Sequence, residues 1–370
     1  MRPRRARRIL KWLLLAGVAL TTVFVTAAVV FELHCSAVRG NFQPSAPTSA
    51  GRGIPGYARP EVDTFLTYAE WYIVWSYQEK AAWQHVRLPS GFPYFGAIRQ
   101  YWSGYCCSYG VVRGRYPFNL GDHLMLVVIG TRFTIEYGIK GAYENTVGRI
   151  TEWSSGHEQS DEDRYAARVA ENYGIFVGDR PFYEFPFFAA FKGLWTDTRL
   201  WGPHLLRKWE RKMWLSLDYG IEAVYCGLIG LASHAVYGVE EDITYALIEN
   251  APETLRSSLP DIHNVKSAGA DSFVVRMPRY QKFTNAAQEL LRTSARFVEI
   301  AGNRQVMVTA LVPRASKLQL PAGELLFASD VLTNGQLQRV ALRVPVASLG
   351  EVVARSRSST FTITEDHRRA

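Results

Sequence analysis

The fold of this chain depends on the stretch GDHLMLVVIGTRFTIEYGIKGAYENTVGRITEW, residues 121–153, which is apolar at its start and increasingly charged towards its end. Four charged residues of alternating sign follow one another at i,i+4 steps: Arg132, Glu136, Lys140 and Glu144. Side chains at that spacing lie along one face of a helix. Gly130, Gly138 and Gly141 weaken a helix, so they are expected where a neighbouring element approaches closely. The stretch therefore predicts a long central helix with a charged seam, packed against by other helices.

Aromatic residues dominate the chain before this helix. The segment TFLTYAEWYIVWSYQEKAAW, residues 64–83, has apolar and aromatic residues at helical spacing, and IRQYWSGYCCSY, residues 98–109, predicts a second helix. Clusters of this kind usually pack a core, but they also line cavities for apolar ligands or lie at a membrane surface. The candidate ligand-binding residues are Tyr68, Trp71, Trp75, Tyr101 and Trp102.

A basic, tryptophan-bearing segment follows the central helix. Within residues 201–214 three tryptophans are interleaved with four cations: Trp201, Trp209 and Trp214 with Arg207, Lys208, Arg211 and Lys212. Such a segment either lies at a lipid headgroup layer or forms the basic face of a helix over a globular core. Residues 223–236 are almost wholly apolar but short for a membrane span, which favours a buried helix.

The sequence pattern changes near Glu240, where aromatic residues become rarer and apolar residues alternate with period two. Segments such as VMVTALV, ELLFASDVL and LQRVALRV predict strands. The dipeptide Asn334-Gly335 fits a two-residue type I′ hairpin turn. Counting outward from that turn gives three predicted pairs: Leu332 with Leu337, Asp330 with Arg339, and Phe327 with Leu342. This register places opposite charges together on one face of the hairpin and apolar pairs on the other.

The N-terminus has the pattern of a membrane anchor. Six cations, Arg2, Arg4, Arg5, Arg7, Arg8 and Lys11, precede an uncharged apolar run from Trp12 to Phe31. A helix over residues 12–32 can cross a hydrocarbon core of about 30 Å, with the cationic side in the cytoplasm. A cleavable signal peptide is the alternative, but the run is long for its apolar region and no clean cleavage site follows. We therefore expect an uncleaved single-pass anchor in the cell (inner) membrane, with the bulk of the chain extracytoplasmic or periplasmic.

The predicted fold class is α+β. The predicted parts are a basic cytoplasmic arm at residues 1–11, a transmembrane helix at 12–32, a Pro/Gly/Ser-rich linker at 33–60, a mainly helical aromatic-rich domain at 61–239 and a smaller α+β domain with an antiparallel hairpin at 240–370. The linker composition predicts a stalk that holds the folded part off the bilayer.

Charge and cysteine usage narrow the function classes. Residues 1–60 contain nine basic residues and one acid, whereas residues 61–269 contain 19 and 25, so the net charge of +8 owes much to a short arm and nucleic acid is not a predicted partner. The scattered histidines and the absence of C-x-x-C predict no metal. The four cysteines, Cys35, Cys106, Cys107 and Cys226, are interpreted as small buried thiols. A bond from Cys106 or Cys107 to Cys226 is the alternative for an oxidising compartment.

Catalytic motifs are missing, and one group of carboxylates remains. No G-x-S-x-G or P-loop occurs, and the G-x-G-x-x-G spacing at residues 51–56 lies in the predicted linker, without the strand–loop–helix context of a phosphate site, so no cofactor is predicted. Glu136 and Glu144 are close in angle on the central helix beside Lys140, and Glu222 could join them from a packed neighbour. Carboxylates with raised pKa can act as general acid and base, but a structural ion-pair network is the favoured interpretation.

Three functional hypotheses follow. The leading one is a membrane-anchored extracytoplasmic protein that acts by binding, with an apolar or lipid-like ligand or a membrane protein partner. The second is a carboxylate-based hydrolase or isomerase using Glu136, Lys140, Glu144 and Glu222. The third is a polytopic membrane protein with Leu124–Ile139 and Ile221–Val236 as further spans, which would place charges at membrane depth at high energetic cost.

Overall fold

The structure is a computed structural model of the 370-residue chain. It describes residues 50–233, 243–251, 262–269, 271–315, 322–358 and 362–363, together with scattered residues between 11 and 35. Its architecture is α+β, as predicted: a helical half is followed by two small antiparallel sheets.

Six helices form the first half. They are α1 (Glu61–Val86), α2 (Tyr94–Val112), α3 (Leu120–Tyr143), α4 (Asp161–Asp179), α5 (Phe187–Thr196) and α6 (Leu205–Ser233). Helix α1 packs along both α2 and α4, while α3 lies against α2. Helices α3 and α6 run antiparallel, since Arg132 contacts Glu222 while Glu144, just beyond α3, contacts Arg211 near the start of α6.

The predicted central helix is present, with one interruption. Helix α3 begins after Asn119, whose side chain accepts a hydrogen bond from the Gly121 amide at 3.0 Å. It continues into a π-helical turn, Glu144–Gly148, and a last α-helical turn, Arg149–Ser154. Side chains of α2 approach this helix at two of the predicted glycines. A Cβ at Gly130 would lie 2.1 Å from the Tyr101 ring, and one at Gly141 would lie 2.8 Å from Tyr94.

The described residues of the second half form two four-stranded antiparallel sheets and two helices. The strands are β1 (Ile243–Glu249), β2 (His263–Ser267), β3 (Ser272–Pro278), β4 (Arg296–Ile300), β5 (Gln305–Pro313), β6 (Glu324–Asp330), β7 (Leu337–Pro345) and β8 (Thr362–Ile363). Their orders are β2-β3-β1-β4 and β6-β7-β5-β8. Helices α7 (Tyr280–Leu290) and α8 (Leu349–Ser358) complete the second half.

The predicted hairpin exists as β6 and β7, but its turn type and register were wrong. A type I′ turn needs positive φ at both central residues, and neither Asn334 nor Gly335 has it. The connection instead spans residues 331–336, and Arg339 lies opposite Ser329 rather than Asp330. A bulge between Leu325 and Phe327 shifts the pairing further along the hairpin.

One hydrophobic cluster spans the two halves, while a second lies within the sheet half alone. Leu326 and Ala341 of the β6–β7 hairpin belong to the buried cluster formed by the aromatic residues of α1, α2 and α3. The Tyr68 hydroxyl lies 3.1 Å from Ser329 Oγ, and Arg339 donates to Glu79 at 2.9 Å. The predicted boundary at 239/240 falls within residues 234–242, outside the described residues.

Part of the predicted linker is packed against the folded chain. The Tyr57 hydroxyl donates to Glu299 at 2.9 Å, and the Arg59 amide donates to the Ala301 carbonyl at 2.9 Å. Of the predicted anchor at 12–32, the structure describes only scattered residues, several of them helical. Within the described part of the chain, none of the helices has the length and apolar character needed to cross a membrane.

The interpretation of the cysteines as free thiols was wrong for Cys35 and Cys106, and so was the alternative pairing with Cys226. Cys106 forms a disulfide with Cys35, 71 residues earlier in the chain, whereas Cys107 and Cys226 are free thiols. The Arg113 guanidinium also donates to the Cys35 carbonyl at 2.8 Å. Cys226 on α6 faces the Phe182 carbonyl instead, at 3.8 Å. Sequence spacing could not place Cys35 beside α2, because the predicted linker at residues 33–60 has no periodic pattern that fixes where it lies.

Candidate functional site

The four cations at the start of α6 are buried, which contradicts their assignment to a headgroup layer or an outer basic face. Arg207 donates to Asp163 at 2.8 Å, and Lys208 contacts Glu162 at 2.9 Å. Arg211 donates to Glu144 at 2.7 Å. Lys212 is fully buried and contacts Glu162 and Thr198. The acidic first turn of α4, capped by Ser160, supplies most of these carboxylates, so an ion-pair layer joins α4 to α6.

The charged seam on α3 is formed only in part as predicted. Glu136 contacts Lys140 at 2.9 Å and Arg132 at 3.5 Å, and it accepts a hydrogen bond from the Tyr77 hydroxyl at 2.6 Å. Glu144 departs from the ladder, because the π-helical turn begins there and its partner is Arg211 of α6.

The second carboxylate of each seam cation comes from α6. Lys140 contacts Asp218 at 3.1 Å, and Arg132 contacts Glu222 at 2.7 Å, as the packing of Glu222 against this helix predicted. The seam is therefore an inter-helix network in which each cation joins a carboxylate of α3 to one of α6.

All four candidate catalytic residues line one cavity at the centre of the helical bundle. Its volume is about 50 Å³, and its walls come from α1, α4 and α6 as well as from Glu136, Lys140 and Glu144. Because one water needs roughly 10–15 Å³ of such space, the cavity has room for a few waters. It is too small for a drug-sized ligand, which occupies roughly 300–1,000 Å³.

The carboxylates of this cavity have different acidities. Burial would raise the pKa of Glu136, but Lys140, Arg132 and Lys80 outweigh it and lower that pKa to about 2. Burial raises the pKa of Glu222, and the charge of Glu136 raises it further. Burial likewise raises the pKa of Glu144 despite Arg211. Environments that separate carboxylate pKa values in this way are what acid–base chemistry requires.

Two polar atoms on the cavity wall have no hydrogen-bond partner within the described chain. They are Glu144 Oε2 and the Tyr173 hydroxyl, and both residues line the cavity. A buried polar atom left without a partner is destabilising by roughly 1–3 kcal/mol. The cavity therefore offers one acceptor and one donor to waters or to a small polar group.

Lys80 of α1 is the cation that sequence analysis missed. It lines the cavity and lies 5.8 Å from the ring centres of both Tyr77 and Tyr137. Burial, assisted by the charge of Lys140, lowers the pKa of Lys80 from 10.5 to about 8. An amine with that pKa is partly neutral near pH 8, so it can give or take a proton there.

We expect Lys80 to impose a pH dependence on stability. Between about pH 8 and pH 10 the unfolded chain holds the Lys80 proton more tightly than the folded chain does, so the free energy of unfolding should rise with pH. Urea titrations at pH 8 and pH 10 should show that wild type gains stability relative to Lys80→Met. Equal pH dependence of the two proteins would mean that Lys80 does not titrate in this range.

A second, larger pocket lies between α1, the end of α2 and the start of α3. Its volume is about 540 Å³, within the usual range for small-molecule sites. Most of its lining is apolar or aromatic: Val62, Leu66, Tyr109, Val112, Tyr116, Pro117 and Phe118. Arg113, Asn119 and His123 supply the polar part of the lining.

The predicted ligand-binding aromatics do not line either of these two cavities. Tyr68, Trp75 and Tyr101 are at most 4% exposed and belong to the core, with Trp71 packed against it. The Tyr101 hydroxyl donates to the Leu126 carbonyl at 2.6 Å, and Trp102 Nε1 donates to Thr134 at 3.0 Å. Their positions are those of core residues that join α1, α2 and α3.

Nothing in the described chain resembles a metal centre: no three His, Cys, Asp or Glu side chains are grouped so that they could hold an ion. Comparison with protein-family models, with curated proteins and with solved structures gives no match for this chain.

Proposed function

We propose that this protein is a single-pass membrane-anchored extracytoplasmic protein that binds a lipid-like ligand in the 540 Å³ pocket. The observation that carries the proposal is the combination of a mainly apolar lining with a cation, Arg113, and a histidine, His123. Such a lining matches an amphipathic molecule, with acyl chains against Leu66 and Val112 and a polar end near Arg113.

The position of the pocket supports a ligand taken from the membrane. Arg113 lines the pocket and also donates to the Cys35 carbonyl. Cys35 follows the predicted span at residues 12–32 by three residues. The pocket would therefore lie close to the extracytoplasmic surface of the membrane that holds the anchor. An apolar ligand would then have only a short path through water.

The disulfide supports the proposed compartment. Structural disulfides form and persist in oxidising environments such as the periplasm or the cell exterior, and they are rare in the cytosol. The Cys35–Cys106 bond lies immediately after the predicted anchor. It therefore agrees with the orientation that the N-terminal cations indicate.

The proposal is tested by native mass spectrometry of the full chain extracted from its own membrane in mild detergent. We expect a retained lipid-sized mass on wild type and its loss on Phe118→Asp, because a carboxylate in the lining opposes an apolar chain. Phe95→Asp is the matched control, since Phe95 is similarly exposed and lies outside the pocket lining. Retention of the same mass by Phe118→Asp would place the ligand elsewhere.

A carboxylate-based hydrolase or isomerase is the second candidate. It is favoured by one observation: Glu136, Lys140, Glu144 and Glu222 converge on a cavity with room for water, beside an amine of lowered pKa. The reacting group would have to be small, or the surrounding side chains would have to move.

A further inference from the structure

The outer side of α3 has the polarity of a buried surface. Between Leu120 and Gly148 the exposed residues include no charged side chain. They are mainly large and apolar: Leu120, Leu124, Met125, Val128, Ile135, Ile139 and Val147. The charged residues of this stretch all point towards the protein, as Glu136, Lys140 and Glu144 do at the central cavity.

Helix α6 also exposes apolar residues and buries its charged residues, more completely than α3 does. From Leu205 to Leu231 every exposed residue is apolar or glycine: Leu205, Leu206, Met213, Leu217, Ile221, Val224, Gly227, Leu228 and Leu231. The six large apolar residues from Met213 to Leu231 in this list are between 55% and 76% exposed. All seven Asp, Glu, Lys and Arg residues of the same helix are buried or half-buried instead. The exposed residues of α3 and α6, two helices joined by the Arg132–Glu222 and Lys140–Asp218 ion pairs, are called here the α3–α6 face.

Helix α4 of the same bundle provides the contrast. Its exposed residues from Arg164 to Ile175 are Arg164, Arg168, Glu171, Asn172 and Ile175, so four of these five are polar or charged. The exposed side of α4 therefore has the composition of a surface that faces water. Soluble monomers rarely expose contiguous apolar patches larger than a few hundred Å², and a larger one marks an interaction site.

We infer that the α3–α6 face lies in contact with the acyl chains of the lipid bilayer. Burying Arg207, Arg211 and Lys212 inside the protein is costly in water, where these side chains would be better placed outside. It becomes favourable when the outer surface meets hydrocarbon, because charges then have their partners only within the protein. One cause explains both the charged interior and the apolar exterior.

The two ends of the face agree with a lipid occupant. Thr151 donates to Glu210 at 2.9 Å, which brings the last turn after α3 beside the start of α6. Trp153 and Trp201 lie just beyond this junction and are 76% and 71% exposed. Tryptophans collect at the boundary between hydrocarbon and headgroups. At the opposite end, exposed Phe118 lies in the lining of the 540 Å³ pocket, so the face leads directly to the proposed lipid site.

The inference rests on the proposed membrane anchoring but not on the pocket. It is tested by placing the photo-crosslinking residue p-benzoylphenylalanine at Ile139, Leu217 or Leu228 of the full chain in its own membrane. Asn172 of α4 is the matched control position, because it is exposed on the polar side of the bundle. Alkaline washing of the membranes reports separately whether the chain is anchored.

After irradiation we expect phospholipid adducts at the three positions of the α3–α6 face and none at Asn172. Adducts to a second copy, to another protein or to residues 12–32 of the same chain would show a protein-covered face and overturn the inference. Absence of any adduct in anchored protein would do the same. If lipid adducts form but native mass spectrometry finds no lipid-sized mass on wild type, this inference stands and the pocket proposal is rejected.

Discussion

Replacing Arg339 with methionine is expected to lower the free energy of unfolding by about 3–5 kcal/mol, the usual loss when one partner of a buried ion pair is removed. Arg339 lies on β7, is 1% exposed and donates to Glu79 of α1 at 2.9 Å. Its guanidinium also lies 4.3 Å from the Trp75 ring centre. Without it, Glu79 would be an uncompensated charge at the contact between the two halves of the chain.

Urea unfolding of the chain in detergent would measure this loss. Arg314→Met is the matched control, because Arg314 pairs with Asp330 at 3.3 Å while 58% exposed. An exposed pair of this kind contributes less than about 1 kcal/mol. Adding Glu79→Leu to Arg339→Met should recover part of the loss, since the unpaired carboxylate is then removed. Equal effects of the Arg314 and Arg339 substitutions would contradict the role given to the buried pair.

Glu136→Gln is expected to destabilise the chain by about 3 kcal/mol, the lower end of the range for a buried ion pair. Its carboxylate accepts from Tyr77 and contacts both Lys140 and Arg132. Lys140 keeps Asp218 and Arg132 keeps Glu222, which limits the loss. Because the pKa of Glu136 is lowered to about 2, its stabilising contribution is present above about pH 4.5 and disappears as the pH falls towards 2.

The same substitution separates the structural role of the charged seam from a catalytic one. If the seam is structural, Lys140→Met combined with Glu136→Gln should recover part of the lost melting temperature. If the seam is catalytic, the single substitutions should leave stability unchanged or raised, because functional sites often hold unfavourable charge arrangements. Thermal melts of the two single variants and the double variant decide between these roles. We expect the loss and its partial recovery.

The central helix could be predicted because it follows from local spacing, whereas Glu222 could be named only on the condition that its helix packs against the central one. Charges four residues apart lie on one face of any helix, and apolar helices pack by their complementary rows. The β6–β7 hairpin could be predicted from alternation alone. Its register could not, since the burial of Arg339 against Glu79 in a distant helix overrides the local preference of Asn334-Gly335 for a tight turn.

The buried cations of α6 show that sequence alone does not predict which charged side chains are buried. Charged residues normally face water, so the sequence predicts Arg207 and Lys212 at a lipid headgroup layer or on the basic face of a helix. The acids that compensate them lie on α4, about 45 residues away, and no periodicity within α6 reveals them. Lys80 was missed for the same reason, because only the packed bundle shows which lysine faces a cavity.

The Cys35–Cys106 bond fixes how far the folded body can move from its anchor. With the bond intact and residues 12–32 in the membrane, three residues separate the lipid from α2, a reach of only about 10 Å. With the bond reduced and the Arg113 contact to Cys35 released, the next described residue packed against the body is Ala50, and a fully extended chain to it has a reach of about 60 Å. The redox state of one cysteine pair would thus decide how far along the membrane the body can move from the point where its anchor enters.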